Sequence, residues 1–287
     1  MKQVLVTGGN GQLGRCFQDY VKKYPSLEFC FVNSNELDIT DENAIEQIFN
    51  TNSFEYCINC AAYTAVDKAE DNKNLAEAVN SEGALNLAAA CLKKNVTLIH
   101  ISTDFVFDGC KNSPYTEEDV TKPLSIYGKT KLSGEQNIQE TLDKYFIFRT
   151  SWLYSEYGNN FMKTMLRLGK ERTTLNVVAD QIGTPTYAKD VAEVILKLII
   201  EDKQCYGIYN YSNEGEISWY DFAKEIFIIS ETPVILNKIN TADYPTAATR
   251  PQYSVLSKEK IVKKLDINLP NWKQSLKMAL NNLKAQV

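Results

Sequence analysis

Short runs of apolar residues alternate with amphipathic patterns along the first half of the chain. The runs that predict strands are Gln3–Thr7, Phe29–Val32, Tyr56–Ala62, Thr97–Ile101 and Phe146–Arg149. Helical periodicity follows the first run through Val21, covers 41–49 behind a predicted Thr40 N-cap, and covers 82–93 behind Asn80. Strands that alternate with helices in this way predict an α/β fold with a doubly wound parallel sheet.

The second half of the chain contains more helical pattern than strand pattern. Helices are predicted at 161–168, at 188–200, behind a Ser218 N-cap and at 270–283, with a strand at Gly207–Tyr211 between them. We expect this half to supply a smaller part of the molecule that contacts the substrate.

Composition narrows the class of protein. The chain has 287 residues, of which 44% are hydrophobic and 23% charged, as in ordinary globular proteins. A net charge of −5 disfavours nucleic acids and anionic membranes as partners, and no run reaches the ~18 apolar residues of a membrane helix. The chain enters a strand pattern at once, without a signal peptide, so a cytoplasmic protein is expected.

The cysteines and the single histidine offer little sign of a metal or redox site. Seven cysteines without regular spacing are typical of reduced, mostly buried thiols. Cys57 and Cys60 form a CxxC pair, but they lie in an apolar strand where positions i and i+3 face opposite sides. Packing is therefore favoured for both, and a core position is favoured for His100.

A glycine-rich turn follows the first predicted strand. Gly8, Gly11 and Gly14 are spaced G-x-x-G-x-x-G and lead into a helical pattern. Glycines allow a tight turn and close backbone approach, and the free amides of the helix start attract phosphate. The turn, which also contains Asn10, Gln12 and Leu13, predicts a dinucleotide pyrophosphate site, and an ordinary turn is the alternative.

The ends of the next strands carry further candidates. Asn33 and Ser34 follow the second strand, where an acid would favour NAD and an arginine NADP; two polar neutral residues favour NADP slightly, with NAD as the alternative. Asp38 is placed to contact the edge of the adenine ring, although a capping role is almost as well supported. The small residues Ala61 and Ala62 would let a cofactor lie against the backbone.

The candidate catalytic pair is Tyr127 and Lys131, four residues apart and so on one face of a helix. An ammonium ~4 Å from a phenol is worth ~4 kcal/mol at an effective dielectric of ~20, or ~3 pKa units. We therefore expect Lys131 to lower the pKa of Tyr127 towards neutrality. Burial of the phenolate raises the pKa, so ~3 units is an upper bound on the shift. A surface helix with a chance Tyr-x-x-x-Lys pattern is the alternative.

Ser102, Thr103 and Asp104 stand where the fourth predicted strand ends, at the sheet edge where ligands bind in α/β proteins. The Thr103 hydroxyl is expected beside Tyr127, and Asp104 is expected to hold sugar hydroxyls. A capping role at the strand end is the alternative for both.

Taken together, these motifs resemble the extended short-chain dehydrogenase/reductases. The resemblance is carried by Gly8-x-x-Gly11-x-x-Gly14, Leu37–Thr40, Asn59–Asp67, Ser102–Gly109 and Tyr127-x-x-x-Lys131, and by the later blocks Arg149–Tyr154, Gly158–Phe161, Asp180–Thr186 and Arg250-Pro251. It implies a Rossmann-type sheet with an interleaved substrate domain: 1–152 and 182–204 for the dinucleotide, 153–181 and 205–287 for the substrate. The subgroup it resembles reduces the C4 ketone of a dTDP-linked 4-dehydro-6-deoxy sugar, giving dTDP-L-rhamnose.

The resemblance also implies roles for individual residues. The catalytic residues would be Tyr127, Lys131 and Thr103. The cofactor residues would be Gly8, Asn10, Gly11, Gln12, Leu13, Gly14, Asp38, Ile39, Ala61, Ala62, Tyr63, Thr64, Ser102, Tyr127 and Lys131. The substrate residues would be Thr103, Asp104, Trp152 and Arg250, with a structural salt bridge as the alternative for Arg250 and core packing for Trp152.

Three further expectations follow from the resemblance. Phe105 stands where related dehydratases have a catalytic glutamate, so elimination is disfavoured, whereas epimerisation, another 4-ketoreduction and a non-catalytic NADP-binding subunit stay open. Some relatives form dimers bridged by a metal between glutamates. Arg15 and Lys189 stand at those positions and would repel a cation, so no metal is expected, and the protein is expected to be a monomer or a homodimer.

Overall fold

A computed structural model describes residues 1–286. In the first half the elements are Lys2–Thr7 (β1), Gln12–Tyr20 (α1), Leu27–Val32 (β2), Glu42–Thr51 (α2), Tyr56–Asn59 (β3), Val66–Ala69 (α3), Lys73–Glu77 (α4), Gly83–Lys94 (α5), Thr97–Thr103 (β4), Ile126–Thr141 (α6) and Tyr145–Thr150 (β5). In the second half they are Leu153–Tyr154 (β6), Phe161–Glu171 (α7), Thr174–Val178 (β7), Ile182–Gly183 (β8), Thr186–Tyr187 (β9), Ala188–Ile200 (α8), Gly207–Asn210 (β10), Ile217–Ser218 (β11), Trp219–Ser230 (α9), Ile235–Ile239 (β12), Glu259–Leu265 (α10) and Trp272–Ala285 (α11). The predicted alternation of strands and helices is confirmed.

Six strands form one parallel sheet in the order β10-β5-β4-β3-β1-β2. The chain runs from β1 to β2 on one side and then returns to β3 on the other, so the direction of strand order reverses between β1 and β3. Ligands of doubly wound sheets bind outside the carboxyl ends of the strands at such a reversal. The turn after β1 and the loop after β3 lie at this point.

Apolar side chains bury both faces of the sheet. Helices α1 and α8 pack together over one face, in a cluster with Val6, Phe17 and Ile195. Helices α2, α5 and α6 cover the other face, in a cluster with Leu5, Leu87 and Ile138. The sheet is therefore buried on both sides, as its near-continuous apolar strands require.

A third cluster lies among α7, α9, α11 and β7. It contains Met165, Leu175, Phe222, Trp272 and Leu276, which contact one another and not the large sheet. Within residues 1–286, no helix is both long and apolar enough to cross a membrane.

Two of the predicted helix starts are wrong. Asp41, and not Thr40, caps α2, because its carboxylate accepts hydrogen bonds from the amides of Asn43 and Ala44. Asn80 does not begin a helix; it lies in a π-helical segment, Ala78–Glu82, that joins α4 to α5. The predicted Ser218 cap of α9 is confirmed, with Asp221 completing a capping box.

Candidate active site

The glycine turn lies against the end of β3. Gly8 has φ +64°, and a Cβ there would lie 2.7 Å from the amide nitrogen of Ala61. Helix α1 begins at Gln12 without a side-chain cap and without an acidic residue in its first turn. Because its first amides are free and glycine leaves space beside them, the turn suits a pyrophosphate.

The other predicted residues of this turn have different surroundings. Asn10 and Gly11 are exposed, whereas the Leu13 side chain is buried in the core beneath the sheet. The Gln12 amide donates to the carbonyl of Leu153 and accepts from Asn160, 2.7 Å away. Gln12 therefore joins the turn to the second half of the chain, and Leu13 can offer a ligand only its backbone.

On the adenine side, Asp38 does not cap α2, whose cap is Asp41. Its carboxylate is exposed and accepts hydrogen bonds from both the amide and the hydroxyl of Thr40. The Ile39 side chain is 3% exposed and packs against Gly83, so its side chain does not face solvent. The Asn33 amide donates to the Glu36 carboxylate, which places an acid close to the end of β2.

The loop after β3, which contains Ala61, Ala62, Tyr63 and Thr64, is held by Asn80. The Asn80 side chain accepts from the Tyr63 amide and donates to the Tyr63 carbonyl and to the Thr130 hydroxyl of α6. Sequence reasoning missed this role. A polar residue within a helical run is a weak signal for it, and π-helical segments often occur at functional sites.

Helix α6 positions Tyr127. Ser125 caps the helix by accepting from the Gly128 amide, and a Cβ at Gly128 would lie 2.3 Å from the carbonyl oxygen of Phe105. Only glycine permits this close approach, which brings the Tyr127 ring edge-on to Phe105, with ring centroids 5.7 Å apart. The structure therefore places the phenol at the carboxyl end of β4, beside Thr103.

The pKa of Tyr127 moves in the opposite direction to the prediction. Burial raises it to about 12, the Thr103 hydroxyl opposes this shift, and the charge of Asp104 adds to it. Lys131 does not lower it, because its Nζ lies 3.0 Å from His100 Nε2 and donates to the carbonyl of Ile101 at 2.6 Å. Burial in turn lowers the pKa of Lys131 to about 8.

The Ser102 hydroxyl points away from Thr103, into a buried ion pair. Its hydroxyl donates to the buried carboxylate of Glu135, which also accepts hydrogen bonds from two nitrogens of Arg149. Successive side chains of a strand point to opposite sides, so Ser102 faces this ion pair while Thr103 faces Tyr127. The strand end thus brings one of the two hydroxyls into the site.

Asp104 is 2% exposed, and its Oδ2 has no hydrogen-bond partner. Its Oδ1 accepts from the Thr103 hydroxyl at 3.1 Å. Burial raises the pKa of this carboxyl to about 6, although the nearby Ser254 and Thr103 hydroxyls oppose the shift. An unpaired buried carboxylate oxygen beside the candidate catalytic residues suits a sugar hydroxyl of a substrate.

Trp152 and Arg250 are linked through Trp219. Trp152 follows β5, has a left-handed backbone (φ 46°) and stacks on Trp219 with ring centroids 3.5 Å apart. Trp219 in turn lines a cavity of about 640 Å³ whose wall includes Arg172, Gln181 and Arg250. The Arg250 guanidinium binds the Asp67 carboxylate at 2.7 and 3.0 Å, so the salt-bridge alternative describes the protein without ligand.

The two positions considered for a metal lie in a different cluster. Lys189 contacts the carboxylates of Asp19 and Glu156, and the Arg15 guanidinium lies 4.2 Å from the centre of the Tyr157 ring. In residues 1–286 there is no group of three or more His, Cys, Asp or Glu side chains arranged to hold a metal ion.

Three features lie at the same sheet edge: the reversal in strand order, the glycine turn and the Tyr127–Thr103 pair. Together they define the class of protein, an extended short-chain dehydrogenase/reductase with a Rossmann-type fold. A sequence model described as RmlD substrate binding domain matches residues 1–285. The dTDP-4-dehydrorhamnose reductase of Aggregatibacter actinomycetemcomitans is 43% identical over 96% of this chain and 98% of its own.

Solved structures agree with the sequence comparison. The dTDP-4-dehydrorhamnose reductase of Clostridium acetobutylicum has a TM-score of 0.94 and 44% identity over 98% of this chain and 99% of its own. That of Bacillus anthracis, solved in complex with NADP, has a TM-score of 0.94 and 41% identity over 98% of this chain and 100% of its own. The chain belongs to the dTDP-4-dehydrorhamnose reductase family, whose members catalyse the last step of dTDP-rhamnose synthesis.

Proposed function

We propose that this protein reduces the C4 ketone of dTDP-4-dehydro-6-deoxy-L-mannose with NADPH, giving dTDP-L-rhamnose. The observation that carries the proposal is the position of the Tyr127 phenol beside the Thr103 hydroxyl at the carboxyl end of β4. The glycine turn after β1 opens at the same edge of the parallel sheet, so a bound dinucleotide and a ketone can meet there.

In the proposed reaction the cofactor supplies the hydride, and side chains of the protein supply the proton and hold the substrate. A reduced nicotinamide supplies the hydride that attacks the C4 carbonyl. Tyr127 donates a proton to the oxygen, and Thr103 holds that oxygen by a hydrogen bond. Because burial raises the pKa of Tyr127 to about 12, the phenol is protonated at neutral pH, as a proton donor must be. Lys131, one turn further along α6, would support Tyr127 as proton donor.

The cofactor surface that we propose is formed by the glycine turn, the 61–64 loop and the end of β2. The free amides of α1 would hold the pyrophosphate, and Ala61 and Ala62 would let the nicotinamide half lie against the backbone. NADPH is proposed as the main reductant because the related Bacillus anthracis enzyme was solved with NADP. NADH is the alternative, since Glu36 lies near the end of β2.

The substrate surface that we propose runs from Asp104 past Trp152 to the cavity lined by Arg250. Asp104 Oδ2 would accept a sugar hydroxyl, the Trp152 ring would cover the sugar, and Arg250 would bind the diphosphate, which its planar donor set suits. Residues 1–152 and 182–204 would then hold the dinucleotide, and 153–181 and 205–287 the sugar nucleotide. The separate apolar cluster of the second half supports this division.

A cytoplasmic location is proposed for the protein. All seven cysteines are free thiols, including the exposed Cys110, as expected in a reducing compartment. Either a monomer or a homodimer fits the proposal, and light scattering after size-exclusion chromatography distinguishes them.

The test mixes the protein, NADPH and the 4-dehydro-6-deoxy sugar nucleotide while the absorbance of reduced nicotinamide is followed. We expect oxidation of NADPH and one product with the C4 configuration of L-rhamnose by NMR. A product with the other C4 configuration would favour another 4-ketoreductase, and interconversion of sugars without net oxidation would favour an epimerase. Dinucleotide binding without oxidation would favour the regulatory-subunit alternative. Parallel assays with NADH decide the cofactor.

A further inference from the structure

A chain of buried polar side chains crosses the sheet from β1 to α6. The Thr7 hydroxyl donates to Asn59 Oδ1 at 2.7 Å, Asn59 Nδ2 lies 3.1 Å from His100 Nδ1, and His100 Nε2 lies 3.0 Å from Lys131 Nζ. Each of these four residues is at most 2% exposed. Without bulk water, each contact needs one donor and one acceptor.

The orientation of the Asn59 side chain determines which groups donate and which accept along this row of hydrogen bonds. Its Oδ1 accepts from the backbone amide of Ala61 at 3.1 Å as well as from Thr7. A backbone amide can only donate, so an Asn59 side chain turned the other way would place two donors against each other. Asn59 therefore presents its NH₂ group to His100 Nδ1, which must accept.

The tautomer of His100 then determines whether Lys131 must donate or accept. Burial keeps the pKa of His100 well below its usual value, so the ring is neutral and carries one proton. With Nδ1 as an acceptor, that proton is on Nε2 and points at Lys131 Nζ. An ammonium group has no lone pair to receive it, whereas a neutral amine accepts it and still donates to the carbonyl of Ile101.

The energies involved are large enough to decide the charge of Lys131. Burial lowers its pKa to about 8, even though Glu135 and Cys60 oppose that shift. Two buried donors facing each other would cost the charged form roughly one to two further pKa units. The Glu135 carboxylate on the next turn of α6 raises the pKa of Lys131, but it is paired with Arg149 from β5. Just after β3 the Cys60 thiol also acts on the amine, but its own raised pKa keeps it uncharged.

We propose that His100 is a positioning residue that holds Lys131 as an uncharged amine in the protein without bound nucleotide. The relevance of this to catalysis rests on the proposed function, in which Lys131 supports Tyr127 as proton donor. An uncharged Lys131 leaves the phenol fully protonated in the empty site, so any electrostatic help from an ammonium must arise when the site is loaded.

The first test reads the histidine directly. His100 is the single histidine of the sequence, so a ¹⁵N-histidine NMR spectrum of the nucleotide-free protein needs no assignment. We expect the tautomer with the proton on Nε2. A proton on Nδ1, or a cationic ring at pH 7, would overturn the proposal. Because no nucleotide or substrate is present, the result does not depend on whether the protein is a reductase.

The second test titrates Lys131 by its ¹³Cε signal, assigned by its absence in Lys131→Met. We expect a pKa below 8, and a pKa of 8 or higher would contradict the proposal. In His100→Gln the amide can turn its oxygen to the lysine, so the pKa should rise by roughly one to two units. An unchanged pKa in His100→Gln would mean that the histidine is a simple acceptor.

A matched control comes from another polar contact of α6, which is partly buried. The Ser81 and Ser133 hydroxyls lie 2.7 Å apart at the same helix but do not contact Lys131. Ser81→Ala should leave the pKa of Lys131 unchanged, and a shift equal to that of His100→Gln would attribute the effect to general loosening of α6. The tautomer measurement needs no variant and decides the proposal if His100→Gln does not fold.

Discussion

Replacing Tyr127 with phenylalanine removes one hydroxyl and leaves the ring packed against Phe105. Because Tyr127 is the proposed donor of the proton to the ketone oxygen, we expect kcat to fall by ~100-fold or more, with NADPH affinity almost unchanged. Stopped-flow turnover and a fluorescence titration of NADPH measure the two quantities. Tyr24→Phe, at a partly buried tyrosine behind α1, is the control. Equal turnover in Tyr127→Phe and the parent protein would remove Tyr127 from the mechanism.

We expect the buried Asp104 carboxylate to destabilise the folded protein at neutral pH. Its pKa is about 6 in the folded protein, above the usual aspartate pKa of 3.8. The folded state therefore binds the proton more tightly, so stability falls as the pH rises from 3.8 to 6, by on the order of 3 kcal/mol at most. Asp104→Asn should raise the free energy of unfolding at pH 7 by roughly 1–3 kcal/mol, with no gain below pH ~4, and should raise KM for the sugar nucleotide.

Urea unfolding at several pH values checks this expectation, with Asp119→Asn as the control. Hydrogen bonding to Lys111 lowers the pKa of Asp119, so its contribution has the opposite sign: it is present at neutral pH and is lost as the pH falls through the folded pKa. The two variants should therefore respond oppositely to pH. A loss of stability in Asp104→Asn at pH 7 would contradict the assigned environment.

At the scale of elements, local patterns predicted the strands of the large sheet and placed the ends of β1 and β2 correctly. They did not predict the short strands β6 to β9, β11 and β12. The helix at 188–200 and the Ser218 cap were predicted correctly because apolar period and capping chemistry are local signals. The direction of a side chain was harder to predict. Ser102 faces Glu135 and Lys131 faces His100 because of which strand lies beside which helix, and that arrangement depends on contacts between distant parts of the chain.

The Glu135–Arg149 ion pair is a structural link between α6 and β5. Both side chains are at most 4% exposed, and three guanidinium hydrogen bonds join them. Arg149→Met leaves the carboxylate buried without its partner, so we expect a loss of about 3–5 kcal/mol in the free energy of unfolding. The exposed pair Arg167–Glu171 is the control: Arg167→Met should cost less than ~1 kcal/mol. Equal losses in chemical denaturation would show that burial does not set the cost.

At the scale of the whole molecule, Asp67 and Arg250 connect helix α3 to the last part of the chain. The carboxylate also accepts from the amide of Ala248, and hydrogen bonding to Arg250 lowers the pKa of Asp67. Their side chains are 45% and 24% exposed, so the ion pair contributes at most ~1 kcal/mol. A diphosphate, with more charge and bidentate acceptors, can therefore displace Asp67 from Arg250.

This exchange predicts different results for the two partners of one ion pair. Arg250→Met should raise KM for the sugar nucleotide ~10-fold or more, since a charge-assisted contact is worth about 1.5–3 kcal/mol. Asp67→Asn frees the guanidinium, so KM should stay the same or fall. Both variants should keep the parent affinity for NADPH and nearly the parent melting temperature. Equal increases of KM in both would mean that the Asp67–Arg250 contact acts only by holding the two parts of the chain together, as the salt-bridge alternative requires.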